Sequence, residues 1–412
     1  MAQTRRLFPM LTVLLLALPV TAAQRPVEDA EWVGSWASAQ QPLDLSDTAI
    51  PPNETVTVRQ FVRLSGGGRR LRLRFSNTFG AAPLTLDGAE VALPGKDGGA
   101  TIDRQSSRAV RFGGASSVTI PVGADSWSDP ISSPVTRLAS LAVTIRVSGM
   151  ASLATGHIAS HATSYLLPGD HLSDAGMAGA VPVEHWFALS GVAVDGISGW
   201  GTVVAFGDSI TDGSHSTTNG NDRWPDRLAE RLQHCADGPV SSVLNLGIGG
   251  NRVLLDGVGP NALARFDRDV LAQPNVRVLV LLEGVNDLGT LTRNGPVSPA
   301  THAMLVSRLT QAYEQMILRA HQHGIRVIGA TILPFAGALS YHPDASNEAD
   351  RQTLNRWIRE RGHFDGVADF DQAVRDRSQP DRLLRAFDSG DHLHPSAAGY
   401  RAMGDAFPCA LL

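Results

Sequence analysis

The sequence predicts two halves of different architecture: a mostly antiparallel β-sandwich of the jelly-roll type over residues 30–195, followed by an α/β domain with a parallel sheet over residues 200–412. Two periodicities carry this expectation. In the first half apolar residues recur at every second position: Leu71, Leu73 and Phe75 alternate with Arg70, Arg72 and Arg74, and Leu141, Val143, Ile145 and Val147 alternate with Ala142, Thr144, Arg146 and Ser148. Turn residues at Ser65-Gly66-Gly67-Gly68, Leu93-Pro94-Gly95 and Gly113-Gly114 break the runs into separate strands. Beyond Gly196-Ile197-Ser198-Gly199 the rhythm changes to short apolar runs at 203–206, 243–246, 276–282 and 325–332 with helical patterns between them, as in buried parallel strands joined by crossover helices. One such helix around 223–235 sets Trp224, Leu228 and Leu232 four apart on a single face, and another spans about 301–323.

At 412 residues, 43% of them hydrophobic, the chain is long enough for two packed cores. Its 35 basic and 40 acidic residues leave a formal charge of −5, with no excess that would draw it to nucleic acid. Arg5 and Arg6, the apolar run from Met10 to Val20 and the small residues Thr21-Ala22-Ala23 have the order of a secretory signal over residues 1–23, so a secreted or periplasmic mature protein starting near Gln24 is expected. Thr4-Arg5-Arg6-Leu7-Phe8 fits a twin-arginine signal as well as two charges of an ordinary Sec signal do. The apolar run is too short to span a bilayer, and no membrane association is expected after signal removal. Cys235 and Cys409 can pair in an oxidising compartment, or stand as two buried thiols. Two isolated cysteines make no metal site, and no metal is expected.

The chemistry-bearing segments fall at the carboxyl ends of the predicted parallel strands, where open α/β sheets bind ligands. Val203-Val204-Ala205-Phe206 runs into Gly207-Asp208-Ser209-Ile210-Thr211-Asp212-Gly213, presenting Ser209 on the turn out of a strand; Thr211 in place of glycine separates this turn from the G-x-S-x-G elbow. A serine hydroxyl needs a base to take its proton, and the base needs a partner to hold its tautomer. Asp391-His392-Leu393-His394-Pro395 supplies both: Asp391 reaches one ring nitrogen of His394 across a tight turn, while His392 points its side chain elsewhere. Acyl transfer also needs donors for the developing oxyanion. Asn245-Leu246-Gly247-Ile248-Gly249-Gly250-Asn251 offers backbone amides, and Gly284-Val285-Asn286-Asp287 offers the Asn286 amide.

In this order the segments GDSITDG, NLGIGGN, GVND and DHLHP resemble the four blocks that define the SGNH (GDSL-type) hydrolase superfamily, a likeness covering about residues 200–410. The resemblance implies a flavodoxin-like three-layer fold, Ser209 as nucleophile and backbone donor, Gly250 as second donor with Gly249 the near alternative, Asn286 as third, His394 as base and Asp391 as its orienter, with no cofactor. RWPDRLAERL, NLGIGGNRVL and ALARFDRDVL extend it to exported arylesterase and acylhydrolase-like proteins, including xylan-associated esterases, and Trp32-Val33-Gly34-Ser35-Trp36 is similar to the start of their N-terminal β-domain. The substrate so implied is a small-molecule or polysaccharide ester of a short, chiefly acetyl, acid; simple aryl or alkyl esters fit the same site. Two further readings are a carbohydrate-binding protein that uses Trp32, Trp36, Trp127 or Trp186 as sugar platforms and an O-acyltransferase to sugar.

Overall fold

Alternation of apolar side chains builds the first part of the structure, a computed structural model that describes residues 31–45, 54–149, 153–196, 200–235 and 240–412. The expected export signal, and residues 197–199 of the junction, lie outside these. Thr55–Arg63, Ser140–Ser148 and Leu84–Pro94 form the middle of an antiparallel sheet; in a second, Trp32–Ala37 is an edge strand beside Leu189–Asp195 and Gly68–Ser76. Leu71, Leu73, Phe75, Leu141, Val143, Ile145 and Val147 all point into the core between them. A small third sheet, His185–Phe187, Leu153–Ile158 and Gln41–Asp44, continues towards the second half.

The alternation is less clean than the sequence suggests. Thr144 is buried on the outer face because Arg59, itself buried, crosses that face to donate to Thr144 Oγ1 at 2.9 Å and to the carbonyls of Ala100 and Asp174. Arg74 is buried because its face meets the second half, where its guanidinium reaches the Ala272 carbonyl. Of the four tryptophans, Trp36 and Trp186 are buried and meet edge to face at 4.9 Å, and Trp32 lies under the Arg72 guanidinium. These three serve packing.

The second part is a parallel five-stranded sheet. Numbered along the chain, its strands Gly201–Gly207, Val240–Gly247, Val276–Leu282, Arg326–Ala330 and Gly366–Ala368 lie in the order 2-1-3-4-5, the flavodoxin-like arrangement, with the first strand between the second and third. Every residue of Gly201–Gly207 is buried, as expected of a strand covered on both faces. The predicted helices form at Trp224–Arg231, where Trp224 and Leu228 are buried, and at Pro299–Gln322, where the Ser298 side chain caps Thr301 N. No helix among the described residues is long and apolar enough to cross a membrane.

Residues 31–412 form one compact unit. The strand Trp32–Ala37 lies against the edge of the parallel sheet: Gly34 N donates to Thr202 Oγ1 at 3.0 Å, and Ser65 Oγ donates to the Val243 carbonyl at 2.8 Å.

Cys235 and Cys409 are bonded across 174 residues of sequence. The bond joins the end of the Trp224–Arg231 helix to the segment after the Ala397–Ala406 helix, which follows directly on Asp391 and His394. Closing so long a loop restricts the unfolded chain, so reduction should lower unfolding free energy by up to about 5 kcal/mol. Denaturation midpoints with and without reductant check this, and identical midpoints would contradict it.

Candidate active site

Ser209 opens a single helical turn, Ser209–Asp212, at the end of the central strand. The Asp208 carboxylate caps the turn by accepting from Ile210 N at 2.9 Å, and Gly213 closes it in the left-handed conformation. Gly207 permits the sharp exit, since a Cβ there would lie 2.2 Å from Thr211 Oγ1. The Ser209 side chain therefore leaves the sheet where the strand order reverses, beside Val240–Gly247.

There it meets the turn that precedes the Ala397–Ala406 helix. Ser209 Oγ lies 2.8 Å from His394 Nε2, and His394 Nδ1 lies 2.5 Å from Asp391 Oδ2. The other Asp391 oxygen accepts from Leu393 N, His394 N and Ser389 Oγ at 2.8–2.9 Å. Burial raises the Asp391 carboxyl, but the hydrogen bonds from His394 and from these amides outweigh it and hold the group well below the usual carboxylate range. His392 turns away, as expected, to pair with Asp388 at 2.6 Å. Such a hydroxyl–imidazole–carboxylate chain is arranged to pass the serine proton to the ring.

Two donor groups border the same cleft. The Gly249 amide is occupied, donating to Asp212 Oδ2 at 3.1 Å. Gly250, at φ 70°, takes a left-handed conformation that glycine adopts without strain, and its amide meets no acceptor among the described residues. That difference favours Gly250 over Gly249 as the donor facing a ligand. Asn286 is buried; its Nδ2 donates to the Asn251 carbonyl at 2.7 Å and its Oδ1 accepts from Tyr341 Oη at 2.5 Å. With oxygen and nitrogen thus assigned, the second Nδ2 proton is left for a ligand.

The cleft has a volume of about 300 Å³ and is lined by Ser209, Gly250, Asn286, Tyr341 and His394 together with Gln41 and Ile158 of the first half. Among the described residues, one group has ligand atoms converging as a metal site would: His215, Asp391 and His394, within 4.8 Å of one another. Asp391 Oδ2 and His394 Nδ1 already lie in hydrogen-bond contact at 2.5 Å, which a metal would have to break.

With this geometry in place, residues 205–402 match the GDSL-like Lipase/Acylhydrolase family. They form a domain of that family. The protein is an ester hydrolase. Solved structures similar to it include a lipolytic protein of the G-D-S-L family from Desulfitobacterium hafniense (24% identity, 51% of this chain and 99% of that one, TM-score 0.38). An acetyl xylan esterase (20%, 50% and 96%, TM-score 0.38) is another. So is Est24, a carbohydrate acetylesterase from Sinorhizobium meliloti (15%, 50% and 95%, TM-score 0.37). No curated protein matches the chain.

Four residues of the GDSL-like domain to which the sequence assigned no role support the cleft. Tyr341 fixes the Asn286 amide. His215 brings Nε2 to 3.3 Å from Asp391 Oδ2, so that Asp391 faces two histidines. Asp212 holds the Gly249 amide. Arg265, fully buried, donates to the Gly207 and Leu246 carbonyls at 2.8 Å, tying two strand ends together, and to Asn251 Oδ1 at 2.9 Å. In sequence its signals are its place in ALARFDRDVL and the four-residue spacing to Asp269, which it meets at 3.0 Å.

Beneath the cleft Asp208, Glu283 and Asp287 are buried close to Arg265, whose charge Asp269 already pairs. Burial pushes Asp208 up to about 7, and, against the amides of Val253 and Leu254, Asp287 up to about 6. Glu283, whose Oε2 meets no partner, is raised well above its ordinary value, first by burial and then by Asp208. Groups raised in the fold contribute stability that is complete below their ordinary pKa and is lost as pH rises through the folded one. Unfolding free energy from this cluster should therefore fall between pH 5 and pH 8. Glu283→Gln, permanently neutral, should gain stability relative to wild type over that window; denaturation curves that stay parallel would contradict it.

Proposed function

We propose that the protein hydrolyses esters of short, chiefly acetyl, acids through an acyl-enzyme on Ser209. The observation that carries this reading is the 2.8 Å contact between Ser209 Oγ and His394 Nε2 in a cleft that also presents Gly250 N and Asn286 Nδ2. His394 takes the hydroxyl proton as Oγ attacks the ester carbonyl, and Asp391 holds the ring tautomer and stabilises the imidazolium. The carbonyl oxygen, now negative, is received by the amides of Ser209 and Gly250 and by Asn286. His394 returns the proton to the departing alcohol, and water repeats the sequence on the acyl-enzyme.

Chain length follows from space. A cleft of about 300 Å³ lies at the small end of ligand sites, and Ile158, Val258, Tyr341 and Leu393 on its walls suit a small apolar acyl group. For the alcohol we favour an acetylated polysaccharide such as xylan, met outside the cytoplasm. The export signal expected over residues 1–23 and the Cys235–Cys409 bond, of a kind that persists in oxidising compartments, support a secreted or periplasmic site of action. A second reading, simple aryl or alkyl esters, is favoured by apolar side chains left exposed beside the cleft: Val258 on its wall, and Leu339, whose backbone bonds to Asp391.

Acetate release from acetylated xylan, set beside rates on nitrophenyl esters of increasing chain length, tests both readings. Acetate from xylan with rates that fall beyond short chains supports the first. No acetate from any polysaccharide leaves the second.

A further inference from the structure

Gly249 and Gly250 form a flexible turn, yet oxyanion stabilisation requires the Gly250 amide to be fixed before charge develops. The carboxylate that ties the turn, Asp212, is in turn held from outside the GDSL-like domain. We propose that His157, on the strand Leu153–Ile158 of the β-rich half, is a positioning residue for the Gly249–Gly250 turn and acts on it through Asp212. The inference rests on the reading of Ser209 and Gly250 given above.

The hydrogen-bond chain is continuous. His157 Nδ1 lies 2.7 Å from the Ala39 carbonyl and Nε2 lies 2.9 Å from Asp212 Oδ1, while Asp212 Oδ2 accepts the Gly249 amide at 3.1 Å. A carbonyl and a carboxylate are both acceptors, so each ring nitrogen must carry a proton, and the ring is an imidazolium paired with a carboxylate. His157 and Asp212 side chains are 2% and 4% exposed, so little water competes for these bonds. Burial and the nearby Arg223 both oppose the ring's charge, but Asp212, by its charge and its hydrogen bond, outweighs them and raises the ring above its ordinary pKa. Asp212 is also the last residue of the turn that Ser209 begins, so one carboxylate ties the nucleophile's turn to the glycine turn.

A second brace from the β-rich half acts on the same loop: Gln41 Nε2 donates to the Val258 carbonyl. His157 is followed by Ile158, which lines the cleft. The β-rich half thus supplies part of the wall and, through His157, the rigidity of the donor turn. A displaced donor loses stabilisation of the transition state while the ground-state ester still binds, so the effect falls on kcat and not on KM.

The test uses the full chain as wild type, His157→Gln and His157→Ala, with active sites counted by stoichiometric fluorophosphonate labelling and turnover followed on a nitrophenyl acetate. Per labelled site, kcat should fall about 10-fold in His157→Gln, which keeps one donor to Asp212, and about 100-fold in His157→Ala, with KM within about 3-fold. Combined with Asn286→Ala, the losses should be less than multiplicative, because both act on one oxyanion. Unchanged kcat per labelled site, even with a lowered melting temperature, would make His157 merely structural and overturn the inference. Should His157→Ala not fold, the His157→Gln value decides. Wild-type labelling at a residue other than Ser209 would remove the reading of the site beneath it, and is seen before any variant is compared.

Discussion

Asp391→Asn should lower kcat by about 10⁴-fold and leave KM and the melting temperature close to wild type, as expected when a triad carboxylate is lost. The turn should survive, because the asparagine oxygen can still accept from the Leu393 and His394 amides as Asp391 Oδ1 does. What changes is the group facing His394 Nδ1, where Asp391 Oδ2 now stands at 2.5 Å. An amide NH₂ there donates, forcing Nδ1 to be the acceptor and placing the ring proton on Nε2, opposite the Ser209 hydroxyl. A protonated Nε2 cannot take the serine proton. Steady-state kinetics with thermal melting check this. Loss of activity accompanied by unfolding would mean that Asp391 mainly holds the turn, and activity within about 10-fold of wild type would mean that His394 needs no orienter.

Asn286→Ala should reduce kcat by about 10²–10³-fold, the usual consequence of deleting one oxyanion donor. Tyr341→Phe should show a weaker version of the same defect, on the order of 10-fold, because Asn286 Oδ1 loses its donor at 2.5 Å and the amide is then held only by the Nδ2 bond to the Asn251 carbonyl. Both variants should keep KM within a few-fold and fold normally, which kcat and KM values with melting curves will show. A raised KM at unchanged kcat in either would assign Asn286 to substrate binding instead of oxyanion stabilisation.

What could be read from the sequence follows from how far apart the cooperating residues lie in the chain. Asp391 and His394 meet within one tight turn, and Ser209 sits on a strand exit, so local spacing nominated them and favoured His394 over His392, while their assignment to one site came from the resemblance of the four segments taken in order. The parallel sheet was legible because its strands are largely buried on both faces and read as short, mainly apolar runs. Tyr341, Arg265 and His157 reach the site from a loop, a short helix and a strand whose own patterns are ordinary; their role exists only once the fold brings Tyr341 to Asn286, Arg265 to two strand ends and His157 to Asp212. The choice between Gly249 and Gly250 was likewise beyond local pattern, since it turns on an Asp212 carboxylate 37 residues away in sequence. In the β-rich half the period-two pattern located the core faces, but not that Arg59 and Arg74 would be buried on the opposite ones, because other segments cover those faces.

The central claim, that Ser209 is the acylated residue, is tested most directly by incubating the folded protein with a fluorophosphonate and mapping the adduct by peptide mass spectrometry. The account predicts one adduct, on the peptide containing Ser209, with stoichiometric loss of esterase activity and no adduct in folded Ser209→Ala. An adduct at another residue, or a folded Ser209→Ala variant that retains wild-type esterase activity, would contradict it.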